Sequence, residues 1–242
     1  MAMLTPTWNA PANIGALSTT RTGGSSVAPF ASLNLGLHVG DDEQAVLANR
    51  DHLAQYLPQP PVWLNQVHSA DVVVVDARFT AELINADALY TQLPNRPLAI
   101  MTADCLPVLL TSTCGTEVAA IHGGWRGLNL GIIANTLAHF NAPAEQVIAW
   151  LGPAIGAQKF EVGAEVKMAF CEQSLTHAAA FTALSNGKYL ADIYAIARHQ
   201  LNQLGVKHIS GGEYCTVSQP EQFFSYRRDG QTGRMASLIW RK

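Results

Sequence analysis

"PLAIMTADCLPVLLTSTCGTEVAAIHGG", residues 97–124, decides how the chain is read. Its three apolar runs, "PLAIMTADC", "PVLLTS" and "EVAAIHGG", are nearly continuous and do not alternate with polar residues. That pattern predicts strands buried on both faces, and such strands need a covering layer on each side. The first run ends at Asp104-Cys105, and the last ends at His122 followed by Gly123 and Gly124. A histidine set against two glycines is unusual in a structural strand. Glycine lets the backbone approach a bound group closely and reach φ > 0.

On the N-terminal side, "GALSTTRTGG" predicts a short strand running into a turn at Gly23-Gly24, and "NLGLHVGDD" a glycine-rich loop. Asp41 or Asp42 caps a helix over residues 42–57, with Val46, Leu47, Leu53 and Leu57 as its apolar stripe. Pro58, Pro60 and Pro61 end it. "VWLNQVHS" and "DVVVVD" predict two short strands split at Ser69-Ala70. On the C-terminal side, "WRGLNLGIIANTLAHF" predicts one helix over residues 125–140, and "QVIAWLGPAIG" a strand. Helices follow in "GAEVKMAFCEQ" and "LADIYAIARHQLNQLG", the second closed by Gly205. The tail, "YCTVSQPEQFFSYRRDGQTGRMASLIW", predicts a strand, a loop containing Tyr226, Arg227 and Arg228, and a final strand. Strands and helices are interspersed without strict βαβ alternation, so a mixed α/β layered fold is expected, not a Rossmann sheet.

The 242 residues, 48% of them hydrophobic, are enough for one large domain spanning 1–242 with no visible linker. Charged residues make up 14%, the net charge is −3 and no long basic run occurs, which argues against nucleic acid as a partner. The start of the chain lacks a basic stretch followed by an apolar one, as a signal peptide needs. Runs such as "AIMTADCLPVLL" are too short and too polar to span a membrane. A cytoplasmic location is expected by elimination. With no heptad or apolar interface stripe, so is a monomer. Cys105, Cys114, Cys171 and Cys215 form no CxxC pair and are expected to be free thiols.

Three side chains stand at the ends of predicted strands: His68 in "NQVHSAD", Cys105 in "TADCLPV" and His122 in "AAIHGGW". They lack the close pairing of zinc-finger ligands but suit a site assembled from neighbouring strand ends. Two imidazoles and one thiolate suit zinc, and three protein ligands leave a fourth position open, as in catalytic sites. The same trio also fits a Cys105 thiolate nucleophile with a histidine base. Taken singly, each residue has a plainer reading: a hydrogen-bonded histidine, or a small core thiol. Among the other histidines, His38 in its glycine loop comes nearest to a site. The helix after Gly124 would aim its first N–H groups at the pocket, an arrangement that favours phosphate. Arg21 and Arg126 are candidates to add positive charge, although Arg126 fits a solvated or ion-paired helix start equally well.

"STTRTGGSS", "LNLGLHVGDD", "NQVHSADV", "ADALYT", "TADCLPVLL", "AAIHGGWRG", "LGPAIG", "FEVGAEV" and "FFSYRRDGQTGRMASLIW" together resemble the YfiH family, from about Leu17 to Trp240. Members of that family carry the labels laccase-domain protein, polyphenol oxidase and purine nucleoside phosphorylase. The resemblance implies an α/β/β/α sandwich with mixed sheets, and zinc held by His68, Cys105 and His122. It also implies phosphate-dependent cleavage of adenosine, inosine, guanosine and methylthioadenosine, with adenosine deamination as a side activity. The partners would then be a purine nucleoside and phosphate. On this reading Arg21 and Arg126 hold the anion, and Asn34 and Gln66 contact ribose or base. Asp104 is either an acid/base group or a structural acceptor. A Cys/His site also takes up copper readily in vitro. Laccase chemistry, however, needs several coppers and paired histidine motifs, and the chain has no HxH pair. Two further alternatives stand: an amidase acting on a miscoupled peptidoglycan precursor, and a binding module that the metal only braces.

Overall fold

In a computed structural model describing residues 2–80 and 83–242, the chain begins with β1 (Met3–Leu4), β2 (Ile14–Thr19), α1 (Glu43–Ala54), β3 (Val72–Val74) and β4 (Ala88–Thr91). Met1, Ala81 and Glu82 lie outside the described residues. The stretch 97–124 forms β5 (Leu98–Thr102), β6 (Leu106–Ser112) and β7 (Val118–Gly123). Then come α2 (Trp125–Asn129), α3 (Ile132–Leu137), β8 (Val147–Leu151), β9 (Glu161–Val162) and α4 (Ala164–Gln173). The chain continues through β10 (Phe181–Ala183), β11 (Tyr189–Ala191), α5 (Ile193–Gln203), β12 (His208–Gly211), α6 (Tyr226–Asp229) and β13 (Met235–Arg241).

A six-stranded sheet runs β12-β8-β6-β7-β4-β3, antiparallel through its middle and parallel at each edge pair. A four-stranded antiparallel sheet runs β1-β2-β13-β5, and a small one runs β10-β11-β9. Because side chains alternate across a strand, each buried run feeds two cores. Val108, Leu110, Ala119 and Ile121 pack against Leu128, Ile132, Ile133 and Ile196 from the helices. Their neighbours Leu109 and Ala120 turn the other way, onto Ile14, Leu98, Ile100 and Ile239 of the four-stranded sheet. That sheet's far face, with Leu17, Ala99 and Leu238, meets Leu33, Leu35 and Leu53. The order is helices α2–α5, six strands, four strands, α1, which is the expected α/β/β/α sandwich.

Several local expectations need correction. Residues 125–140 form two short helices, because Gly131 adopts φ 84 between them and breaks the helical path. Residues 62–69 make only isolated bridges, Val62 to Leu98 and Asn65 to Asn85. In α1, Leu47 is exposed, and the buried face is Val46, Asn49 and Leu53. Asn49 takes an inward place because its amide donates to the Ser26 hydroxyl and the Asn34 carbonyl. The tail strand lies at His208–Gly211, ahead of Tyr214, and Tyr226–Asp229 is a short helix capped by the Ser225 hydroxyl. Asp42, not Asp41, caps α1 by accepting from the Ala45 N–H at 2.9 Å. All four cysteines are free, and among the described residues no helix is long and apolar enough to cross a membrane.

Candidate functional site

The site forms where the ends of β5, β6 and β7 meet the loop before β3. His122 is the penultimate residue of β7 and is buried; Cys105 sits half-buried in the turn between β5 and β6; His68 stands exposed in its loop. One ligand atom from each lies within 4.8 Å of the others.

Asp87, immediately before β4 and fully buried, organises two of the three. Its carboxylate accepts the N–H groups of Val67 at 3.2 Å, His68 at 3.0 Å and Ser69 at 2.6 Å. Three successive N–H groups converge on one carboxylate because His68 adopts the left-handed φ of 61°. This grip replaces the ladder that an ordinary strand over residues 62–69 would need. The same carboxylate receives the His122 Nδ1–H at 2.7 Å, while the Asp87 carbonyl accepts the His122 backbone N–H at 2.7 Å. With Nδ1 committed, His122 offers Nε2 to the cavity, the usual arrangement of a metal-ligating histidine with a carboxylate behind it.

The charges agree with that arrangement. Burial pushes the Asp87 carboxyl up, but the hydrogen bonds from His122 and Ser69 outweigh it and hold the group below the usual carboxylate range. Burial alone would pull the His122 imidazole down. The negative charge of Cys105 and the Asp87 hydrogen bond more than offset this and lift it to about 9. His68 moves the other way, lowered by desolvation and by the His122 charge. A cation entering here displaces a proton from His122. Metal affinity is therefore expected to fall by up to about tenfold per pH unit below 9 on account of His122 alone. Calorimetric titrations in buffers of different ionisation heat would show the released proton; no buffer dependence at pH 7 would contradict it.

Gly124 explains the glycines after His122. A Cβ at this position would lie 2.5 Å from His68 Nδ1 and 3.4 Å from Cys105 Sγ. Its backbone, at φ −65 and ψ 154, suits any residue, so clearance is what demands glycine. The donor set and this clearance fit a zinc ion. Gly124→Ala is expected to weaken metal retention against a chelator by about tenfold or more, as loss of a ligand's support does, with a nearly unchanged melting temperature. Equal retention would show that His68 can move away at no cost.

A cavity of about 80 Å³ opens beside the three donors, lined also by His38, Gln66, Met101 and Arg234. Gln66 forms its wall: its amide donates to the Met101 carbonyl and accepts the Met101 N–H, both at 2.8 Å. Asn34 is fully buried and lines no part of the cavity; it bonds Gly36, Asp41 and the Arg234 N–H. The Asp104 carboxylate accepts from the Thr216 hydroxyl and the Arg227 N–H, both at 2.6 Å, which is the structural-acceptor arrangement. Arg21 does not line this cavity; it stacks on Phe224 and donates to the Ala31 and Pro220 carbonyls. Arg126 is exposed over the Trp125 ring, close enough to help depress the His68 pKa. The helix expected to point at the site is only five residues long, so its dipole is slight. Sequence reasoning missed Asp87 and Arg234. Asp87 sits in "ADALYT" and Arg234 in "GRMAS", and neither has a recognisable ligand partner nearby in sequence.

A family model described as multi-copper polyphenol oxidoreductase laccase matches residues 15–242. A Haemophilus influenzae protein named purine nucleoside phosphorylase is 49% identical over 244 residues, covering 99% of each chain. An Escherichia coli K12 protein named purine nucleoside phosphorylase YfiH is 50% identical over 241 residues, covering 98% of each. A crystal structure of a Neisseria meningitidis protein of the DUF152 family superposes with a TM-score of 0.97 at 49% identity, covering 100% of both chains.

Proposed function

This chain belongs to the YfiH-like family described as multi-copper polyphenol oxidoreductase laccase, and we propose that it is a zinc-dependent purine nucleoside phosphorylase. The observation that carries the reading is the meeting of His68, Cys105 and His122 within 4.8 Å beside a small cavity, in a chain about half identical to proteins named for this reaction. Adenosine, inosine, guanosine and methylthioadenosine are the proposed substrates, with adenosine deamination as a side activity of the same site.

In phosphorolysis an oxygen of inorganic phosphate bonds to the ribose anomeric carbon as the bond to the purine nitrogen breaks. The bonding pair leaves with the base, which takes up a proton. His68, Cys105 and His122 would hold a zinc ion, which would supply Lewis-acid polarisation there. Asp87 fixes the imidazole of His122 and the backbone of His68, so the donors are preorganised and little reorganisation is left for the reacting complex. Gln66, tied at both ends of its amide to Met101, gives the cavity a fixed wall. The cavity is far smaller than the roughly 300–1,000 Å³ of pockets that enclose a whole drug-sized ligand. The nucleoside therefore lies partly over the exposed side of His68.

The oxidase label has less support. Electron relay from a phenol to dioxygen needs several coppers, and among the described residues only one group of three or more His, Cys, Asp or Glu side chains stands close enough to share an ion. The test is protein purified without added copper, assayed for bound metal and for inosine cleavage with and without phosphate. Zinc in the protein and ribose 1-phosphate formed only with phosphate are expected. Bound zinc with no phosphate dependence would overturn the phosphorylase reading and favour the amidase.

A further inference from the structure

We infer that Arg234 is the side chain that binds inorganic phosphate, holding it in the cavity beside His68, Cys105 and His122; this rests on the phosphorolytic reading above. Arg21 and Arg126, the arginines that sequence offers for the anion, are engaged elsewhere or exposed. Arg50 donates to the Leu35 carbonyl and Met101 Sδ and stacks on Trp63. Arg234 differs from all three.

It lines the cavity itself and is half-buried, and although the Cys105 and Asp104 charges favour its ionised form, no carboxylate among the described residues lies within ion-pair distance of it. Burial still outweighs those charges and lowers the Arg234 pKa, and an anionic ligand in direct contact offsets that cost. Its Nη1 donates to the Thr232 and Gly233 carbonyls, both at 3.0 Å. Its Nε and Nη2 hydrogens have no acceptor among the described residues, and neither nitrogen is among the buried, unpaired ones. Nε and Nη2 lie along one edge of the guanidinium, the edge that grips two oxygens of a phosphate in parallel.

The arginine is also preset. Its N–H donates to Asn34 Oδ1 at 2.9 Å, and its carbonyl accepts from the Leu35 N–H at 3.1 Å. A Cβ on Gly36 would come within 2.9 Å of Arg234 Cγ, so the loop "NLGLHVG" is shaped to the arginine's stem. His38, on the same loop, lines the cavity with Arg234. The cavity's volume of about 80 Å³ is several times the roughly 10–15 Å³ that one enclosed water needs on the same measure. That is room for a tetrahedral oxyanion.

The test titrates inorganic phosphate into the metal-loaded wild type, R234Q and R234K by calorimetry, and measures the KM for phosphate and for inosine. R234Q keeps the methylene stem against Gly36; R234K keeps the charge but loses the paired donors. R234Q is expected to weaken phosphate binding about ten- to hundredfold and R234K by less, the size expected for a charge-assisted hydrogen-bond pair. The KM for inosine should stay within about twofold, since that ligand is uncharged. If the melting temperature shows R234Q to be misfolded, R234K decides. Phosphate bound equally by both variants and the wild type overturns the inference and leaves phosphorolysis standing. Phosphate bound through Arg234 with no ribose 1-phosphate formed supports the anion site and overturns the phosphorylase reading.

Discussion

Cys105→Ser is expected to lose bound metal and to lower nucleoside cleavage by at least about a thousandfold. Only one anionic donor is present in the trio, and a serine hydroxyl does not ionise near neutral pH to replace it. The two imidazoles left behind include one exposed on a loop, which is a poor cage. Metal catalysis is worth several kcal/mol of barrier, and about 4 kcal/mol corresponds to the stated factor. Removing the thiolate should also bring the His122 pKa down from about 9, because the Cys105 charge is the largest of the influences raising it. Metal analysis, product assay and NMR titration of His122 read these effects separately. A variant that keeps its metal but not its activity would assign Cys105 as a nucleophile. One that keeps both would remove the trio from the reaction.

Asp87→Ala is expected to be the most destabilising single change at the site, by about 3–5 kcal/mol, the cost of breaking a buried charged pair. It leaves the N–H groups of Val67, His68 and Ser69 and the Nδ1–H of His122 without their acceptor. Asp87→Asn retains the volume but not the charge, and metal affinity should fall by about ten- to hundredfold. The pH dependence has two limbs. Asp87 is lowered in the folded chain, so its contribution is present above the usual carboxylate pKa and is lost as pH falls through the depressed value. His122 is raised, so its contribution in the metal-free protein is complete below about 6.5 and is lost as pH rises through about 9. Denaturant unfolding of both variants across pH should show each limb flattened. Stability curves parallel to the wild type would mean that the Asp87–His122 pair is not coupled to folding.

The layered architecture was legible because its strands carry their own signal. The runs in residues 97–124 are apolar on both faces, and a strand with two apolar faces must be sandwiched. The trio His68, Cys105 and His122 was legible because each stood at a predicted strand end beside a polar or glycine-rich turn. Elsewhere local pattern and tertiary need diverged. Residues 62–69 read as a strand, yet their amides close on a carboxylate far along the chain, and a period-2 pattern cannot register such a partner. Residues 125–140 read as one helix, whereas the left-handed backbone of Gly131 divides them. Leu47 fitted the stripe of α1, but buried Asn49 took the inward place to satisfy two loops. Arg234 was passed over for a physical reason too: what marks it is the partner it lacks, and a sequence does not show absences of that kind.

The last strand, β13, lies inside the four-stranded sheet, between β2 and β5, and Arg234 immediately precedes it. Made from N- to C-terminus, the chain has its thiol, both imidazoles and Asp87 off the ribosome long before that strand exists. Until it arrives, β2 and β5 each present an unpaired edge, the template on which misassembly starts. Assembly of the sheet is thus ordered in time: Arg234 and the strand that closes the four-stranded sheet arrive in one final event. Chains stopped before residue 234 should therefore remain sensitive to protease, and the full chain should become resistant only once that strand pairs.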